Sequence, residues 1–157
     1  MNYAGNDHRV LAEALEAPGA VAVSSGGVYF IHSSYPRQIS RVIGEDNTVV
    51  DVVSTDSDPL TLLVQPYSED LYYTDNENTQ IKRLPSGSDV PEVVFTQNEG
   101  VAGLTLGPRN TLVFGSGKNG PVRSYRGISK QVFSLPQQHP RTWPLAAGYR
   151  PNNRKLY

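Results

Sequence analysis

The chain has no cysteine among its 157 residues. That excludes a disulfide framework, a thiolate metal centre and a cysteine nucleophile, while leaving the compartment unassigned. Charge is scarce, at 18% of residues, and 14 Lys plus Arg nearly balance 15 Asp plus Glu. Neither a basic stripe for nucleic acid nor an acidic solvating tail is expected. No apolar run approaches the length of a membrane span, so membrane insertion is not expected. The N-terminus carries no basic region followed by an apolar stretch, which predicts no signal peptide. No Asn-x-Ser/Thr acceptor occurs, which weakens a secreted reading. What the chain does have is turn-forming residues, 14 Gly and 12 Pro. The length suits one domain with a core of its own.

Internal periodicity dominates the pattern. Four apolar segments recur about 42 residues apart, the period of a repeat architecture. They are Pro18–Val23, Pro59–Val64, Val101–Leu106 and Pro144–Tyr149. Each precedes a polar turn rich in Gly, Pro, Asn or Ser, as hairpins require. Second strands follow at Val28–Ile31, Leu71–Thr74, Leu112–Phe114 and Leu156–Tyr157, where aromatic and β-branched residues favour strand. Third strands at Gln38–Val42, Gln80–Leu84 and Pro121–Tyr125 alternate apolar with polar. Fourth strands are expected at Val49–Val53, Val93–Phe95 and Gln131–Leu135. The expected fold is all-β: a β-propeller of four-stranded antiparallel blades, with inner strands more apolar than outer ones. The segment 9–17 reads helical by composition, but its place in the repeat predicts an outermost strand.

Leu71-Tyr72-Tyr73-Thr74-Asp75 resembles the YWTD signature of the LDL-receptor class B propeller repeat. Pro18-Gly19-Ala20-Val21-Ala22, Ile39-Ser40-Arg41 and Ile81-Lys82-Arg83 fit the strands that flank the signature in that repeat. Tyr73 stands where the signature has Trp. The first unit has Ile31-His32 and the third Gly115-Ser116 in place of Thr-Asp. The pattern also resembles NHL-type propellers. Both families are mainly six-bladed. The resemblance implies one domain over 1–157, with units 18–58, 59–100 and 101–143, and a split blade from 1–17 plus 144–157. Complementary ends allow a small four-bladed ring, two chains paired as a homodimer into a larger ring, or a fragment of a longer propeller. The strand left unpaired at Tyr157 tilts the expectation towards self-association.

The resemblance implies that Leu71, Tyr72, Tyr73, Thr74 and Asp75 are structural, tying blades together. Other candidates for chemistry have plainer explanations. His8, His32 and His139 lack ligand spacing, so no metal is expected. Gly115–Gly120 lacks the spacing of a phosphate loop and reads as a connection. No Ser lies in a Gly-x-Ser-x-Gly elbow. Binding side chains are expected on loops, where Tyr35, Arg37, Asn76, Lys118, Arg141 and the single tryptophan, Trp143, join aromatic or polar character to a turn. The expected function is noncatalytic recognition of a protein, peptide or glycan on one propeller face, without a cofactor. Two other readings stand beside it. One is a lactonase- or strictosidine-synthase-like propeller enzyme with a metal in its channel. The other is a fragment whose main property is assembly.

Overall fold

A computed structural model of the chain describes residues 9–13, 15, 17–32, 35–117, 120–126 and 131–134. Within them lie twelve strands and one 3-10 turn. The first sheet is β1 (Pro18–Ser24), β2 (Gly27–His32), β3 (Gln38–Ile43) and β4 (Thr48–Ser54). The second is β5 (Leu62–Val64), β6 (Leu71–Asp75), β7 (Gln80–Leu84) and β8 (Glu92–Thr96). The third is β9 (Val101–Leu106), β10 (Leu112–Ser116), β11 (Val122–Arg126) and β12 (Gln131–Ser134). Every sheet is an antiparallel meander in chain order. The first strands β1, β5 and β9 neighbour one another, so the sheets fan out from a common edge, and among the described residues the fan does not close.

Burial peaks in the middle of the sheets rather than grading outward from the first strand, and β1 has no buried residue. The second strands β6 and β10 are the most enclosed of their sheets, β2 and β3 are equally enclosed in the first, and β12 is exposed throughout. The ladders put equivalent residues in one register: Tyr29 opposite Arg41, Tyr72 opposite Arg83, and Val113 opposite Ser124. Bulges also recur in one slot, between Ile39 and Ser40 in the first sheet and between Ile81 and Lys82 in the second. An extra residue there bends the outer strand and increases twist, which lets neighbouring sheets fan rather than stack flat.

The middle sheet hides both faces because apolar residues occupy both parities of β6. Leu71 and Tyr73, with Leu62, Val64 and Leu84, pack against Tyr29, Ile31 and Ile39 of the first sheet. Ile81, Leu63, Tyr72 and Phe95 pack against Leu104, Leu112, Phe114 and Tyr125 of the third. Phe95 sits with its ring centroid 4.9 Å from that of Phe114 and 6.0 Å from that of Tyr125. Such tilted aromatic pairs add about 0.5–1.5 kcal/mol beyond their buried area.

Two other expectations require correction. The outermost strand expected in the segment 9–17 does not form among its described residues: 9–13, 15 and 17 carry neither helix nor strand. This segment is fastened by side chains instead. The Arg9 guanidinium donates to the Glu45 carbonyl (2.8 Å) and to Asn47 Oδ1, and Asn47 Nδ2 donates to the Val10 carbonyl (3.4 Å). The first strand of the second unit is also shorter than Pro59–Val64 and begins at Leu62. Thr74 Oγ1 and Asn78 Oδ1 accept from the Leu60 N–H at 3.0 and 2.9 Å, so those side chains take the donor a ladder would use. The C-terminal part of the expected split blade lies outside the described residues.

Candidate functional site

Three connections emerge at the same end of the first two sheets: the β2–β3 loop with Tyr35 and Arg37, the β4–β5 loop with Asp56, Ser57 and Asp58, and the β6–β7 turn with Asn76, Glu77 and Asn78. Apart from Tyr35, these residues line one hollow of about 440 Å³.

Asp75 is its foundation. The residue is fully buried, and its carboxylate accepts from the backbone N–H groups of Asp56 (3.0 and 3.2 Å), Ser57 (3.0 Å) and Asn76 (2.9 Å), from Ser57 Oγ (3.3 Å), and from Lys82 Nζ (2.9 Å). Lys82 also reaches Asp56 Oδ2 at 2.8 Å. Burial opposes ionisation of Asp75, but Lys82 and the three N–H donors outweigh it and hold the carboxyl below its usual range. Its acceptor sites are used up by these donors. Asp75 therefore acts as a clamp that fixes the β4–β5 loop to the second sheet.

A related clamp recurs with different chemistry. In the third sheet Ser116 takes the slot of Asp75 and Arg123 the slot of Lys82. Ser116 Oγ donates to Gln97 Oε1 (3.1 Å), and Arg123 Nη1 donates to the same oxygen (3.2 Å). Gln97, at the end of the second sheet, joins the third sheet as the β4–β5 loop joins the second. In the first sheet His32 holds this slot. Its ring lies 4.9 Å from that of Phe30, and its buried Nε2 has no hydrogen-bond partner among the described residues.

The hollow's rim is rigid as well. Asn76, Glu77 and Asn78 are all left-handed, with φ of 51°, 54° and 61°. Asn tolerates this conformation, whereas for Glu77 it costs roughly 1–2 kcal/mol. The turn is held on both sides. Glu77 N donates to Ser57 Oγ at 2.8 Å, while the Asn78 carbonyl accepts from Val101 N at 2.7 Å. Arg37 Nε pairs with Asp58 Oδ1 at 2.8 Å across the mouth, both side chains about half exposed. Asp58 is thus matched to Arg37, and Asp56 to Lys82. Glu77 makes no ion pair among the described residues. The hollow presents carboxylates in excess of cations and can receive hydroxyl, amide or cationic groups.

Of the expected binding residues, Arg37 and Asn76 meet in this hollow. Tyr35 is 91% exposed, two residues from Arg37 in the chain, and is not part of the lining. Lys118, Arg141 and Trp143 lie outside the described residues, as do His8 and His139. Sequence reasoning missed Asp56, Ser57, Asp58, Glu77 and Asn78. The Asp56-Ser57-Asp58-Pro59 run carried a loop signal, but nothing local showed that it faces the β6–β7 turn. Among the described residues no group of three His, Cys, Asp or Glu is placed to hold a metal. A larger groove of about 600 Å³ separates the second and third sheets, lined by residues that include Tyr72, Arg83, Glu92 and Tyr125.

Arg83 in that groove has its own buried partner. Its Nε and Nη2 donate to Asp70 Oδ2 at 3.0 and 2.8 Å, and Ser86 N donates to Asp70 Oδ1 at 3.0 Å. Burial again opposes ionisation of Asp70, and the Ser86 N–H and Arg83 override it, so this carboxyl is also held below its usual range. A depressed folded-state pKa stabilises the fold above the unfolded value of about 4 and loses that contribution as pH falls through the folded value. The urea midpoint is therefore expected to hold from neutral pH down to the unfolded value, then fall steeply below it. Asp70→Asn should flatten that fall. An equally steep acid limb in Asp70→Asn would show that Asp70 contributes nothing to it.

No protein-family model matches the chain, and no curated protein matches it. Solved structures do. Virginiamycin B lyase from Staphylococcus aureus superposes with a TM-score of 0.63 at 20% identity over 81% of this chain and 43% of that one. The computationally designed Ika4 protein gives 0.64 at 14% identity, covering 87% of this chain and 82% of its own. A puromycin-hydrolyzing peptidase of Mycobacterium tuberculosis gives 0.68 at 14%, over 85% of this chain and 24% of that one. The fold is a propeller repeat. The three four-stranded sheets are its blades, and the hollow lies at the loop ends of the first two. The chain spans less than half the length of the lyase. At these identities the likeness concerns the fold alone.

Proposed function

We propose that this propeller repeat chain is a noncatalytic binding module of the YWTD or NHL kind, recognising a protein, peptide or glycan at the loop ends of its blades. The observation that carries this reading is the rigid hollow. Asp75 fastens the loop that carries Asp56 and Ser57, and Arg37, Asp58, Asn76 and Glu77 are among the side chains that line the hollow. A site already ordered before binding loses little conformational entropy when occupied. Tyr35 and, from the sequence, Lys118, Arg141 and Trp143 extend the set of binding side chains. The surplus of carboxylates favours ligands that bring a basic side chain or several hydroxyl groups.

Selection of a random peptide display library and a glycan array on the immobilised chain tests the reading. Enrichment of Lys- or Arg-bearing peptides or of particular glycans is the expected result. Glu77→Gln with Asn76→Ala should weaken the selected ligand about 10-fold or more, and for a basic peptide the remaining binding should depend less on salt. Failure to select any ligand, or binding unchanged in this variant, would remove the hollow as the site.

An enzyme is the second reading. It draws on the solved neighbours, several of which are named as enzymes: a lyase, a peptidase and a PQQ-bound aldose sugar dehydrogenase. Glu77, a carboxylate outside any ion pair among the described residues, is where such chemistry would start. Turnover of a lactone, ester or peptide substrate that Glu77→Gln abolishes, with the fold unchanged by circular dichroism, would establish this second reading in place of the first.

A further inference from the structure

The second and third blades face each other along two ladder rows. On the second, Leu63 pairs with Tyr72, Tyr72 with Arg83, and Arg83 with Glu92. On the third, Leu106 pairs with Leu112, Leu112 with Tyr125, and Tyr125 with Val132. The inner parts of the rows close on each other, since Leu63, Tyr72, Leu106, Leu112 and Tyr125 share one packed cluster. The outer parts stand apart and leave the groove of about 600 Å³. Leu112 and Tyr125 are its buried floor, Tyr72 is half-buried beside them, and Glu92 and Val132 stand exposed on opposite walls. Small-molecule sites have this make-up, with volumes of about 300–1,000 Å³ and apolar walls carrying a few placed polar groups.

The first blade shows what such a row accepts. There Tyr29 pairs with Arg41 as Tyr72 pairs with Arg83. The Arg41 guanidinium lies over the Tyr29 ring, 5.5 Å from its centroid, and its Nη1 donates to the hydroxyl at 3.1 Å. The chain thus fills that row with its own cation. In the second blade carboxylates engage the cation instead. Arg83 Nε and Nη2 donate to Asp70, and Nη1 donates to Glu92 Oε1 at 2.7 Å. Among the described residues no cation stands over the ring of Tyr72 or Tyr125. Arg123, two residues from Tyr125 on the same strand, is turned to Gln97. The charges at the groove do not cancel. Arg83 offsets only one of Asp70 and Glu92, and Glu92 Oε2 accepts from none of the described residues. An aromatic face beside an uncancelled carboxylate is a setting that holds an organic cation.

We propose that this groove binds a small organic cation with an apolar body, of the aralkylammonium class. The ammonium sits between Glu92 and the Tyr72 ring, and the apolar body lies along Phe95, Leu112 and Val132. Arg83 already gives three hydrogen bonds to Asp70 and Glu92, so the site favours a cation over an anion. The groove shares no lining residue with the hollow, and the inference is independent of what the hollow binds.

Calorimetric titration of the full chain with phenethylammonium, and with phenethyl alcohol as its neutral counterpart, tests it. Phenethylammonium is expected to bind with a millimolar or tighter dissociation constant. The alcohol should bind about 10-fold more weakly, the scale of one partly desolvated cation–aromatic contact. Glu92→Gln changes an exposed side chain, so the fold should persist by circular dichroism. In this variant the ammonium should lose about 10-fold in affinity, and with it the preference over the alcohol. Val132→Arg sets a cation on the opposite wall, as Arg41 does over Tyr29, and should abolish binding. Glu45→Gln removes the same charge from an exposed turn of the first sheet and should leave binding intact. No binding at millimolar phenethylammonium, equal binding of the alcohol, undiminished binding in Glu92→Gln or Val132→Arg, or an equal loss in Glu45→Gln would overturn the proposal.

Discussion

Asp75→Ala is expected to destabilise the fold by about 3–5 kcal/mol, the usual cost of removing one partner of a buried ion pair. For a chain of this length each kcal/mol is worth roughly 2–4 °C, so the melting temperature should fall by about 10 °C. The substitution deprives the Asp56, Ser57 and Asn76 N–H groups of their shared acceptor and leaves the largely buried Lys82 with Asp56 alone. Asp75→Asn should fare little better. An amide keeps the shape but sets a donor against donors and cancels the charge facing Lys82. The double variant Asp75→Ala with Lys82→Met should recover about 1–2 kcal/mol of the loss, because it removes the ammonium left behind. Calorimetry of the three variants decides the matter. A drop below about 1 kcal/mol for Asp75→Ala would mean that the loop is held without its clamp, since a typical single hydrogen bond already accounts for that much.

The second large effect lies in the packed interface between the first two blades. Tyr73 is fully buried among Leu62, Leu71, Ile31 and Ile39, and truncating it to alanine should cost about 3–5 kcal/mol, because the sheets on either side cannot close the void. Tyr73→Phe should behave in the opposite way. The hydroxyl is buried with no partner among the described residues, and burial pushes its pKa up to about 12. Removing an unsatisfied buried hydroxyl relieves a desolvation penalty, so Tyr73→Phe is expected to be neutral or more stable by up to about 1 kcal/mol. Urea unfolding of the pair separates packing from polarity at a single position. A loss in Tyr73→Phe as large as that in Tyr73→Ala would show that the hydroxyl, not the ring, holds this site.

These two residues also show how much of the signature was legible. The resemblance of Leu71–Asp75 to a propeller motif placed Asp75 and Tyr73 in a structural role. The substitution of Gly115-Ser116 for Thr-Asp in the third unit looked like a departure. In the structure Ser116, Gln97 and Arg123 form a neutral-acceptor counterpart of the Asp75–Lys82 clamp. A one-residue motif does not contain this equivalence, because the partner comes from the end of the preceding blade.

The candidate site divides similarly. Arg37 and Asn76 were singled out because polar turn residues between strands are where rigid folds display function. The turn needed them regardless: left-handed backbone at Asn76 and Asn78 suits asparagine. Their meeting place, and the roles of Asp58 and Glu77, came from two loops separated by about half a repeat period along the chain.

The sequence by itself determined the strands of the three described sheets, apart from the later start of β5, along with their order within each sheet and the repeat of those three units. Alternation of apolar and polar residues and the placement of Gly, Pro, Asn and Ser act over a few residues, and the period of about 42 residues copies that pattern from unit to unit. The tertiary structure alone decided which strand faces lie between blades, which loops form the hollow, and that residues 9–13 and 15 are tied down by Arg9 and Asn47 rather than paired as a strand. Those outcomes depend on groups far apart in the chain competing for the same donors, acceptors and apolar surface. Only the folded arrangement brings the competitors within reach of one another.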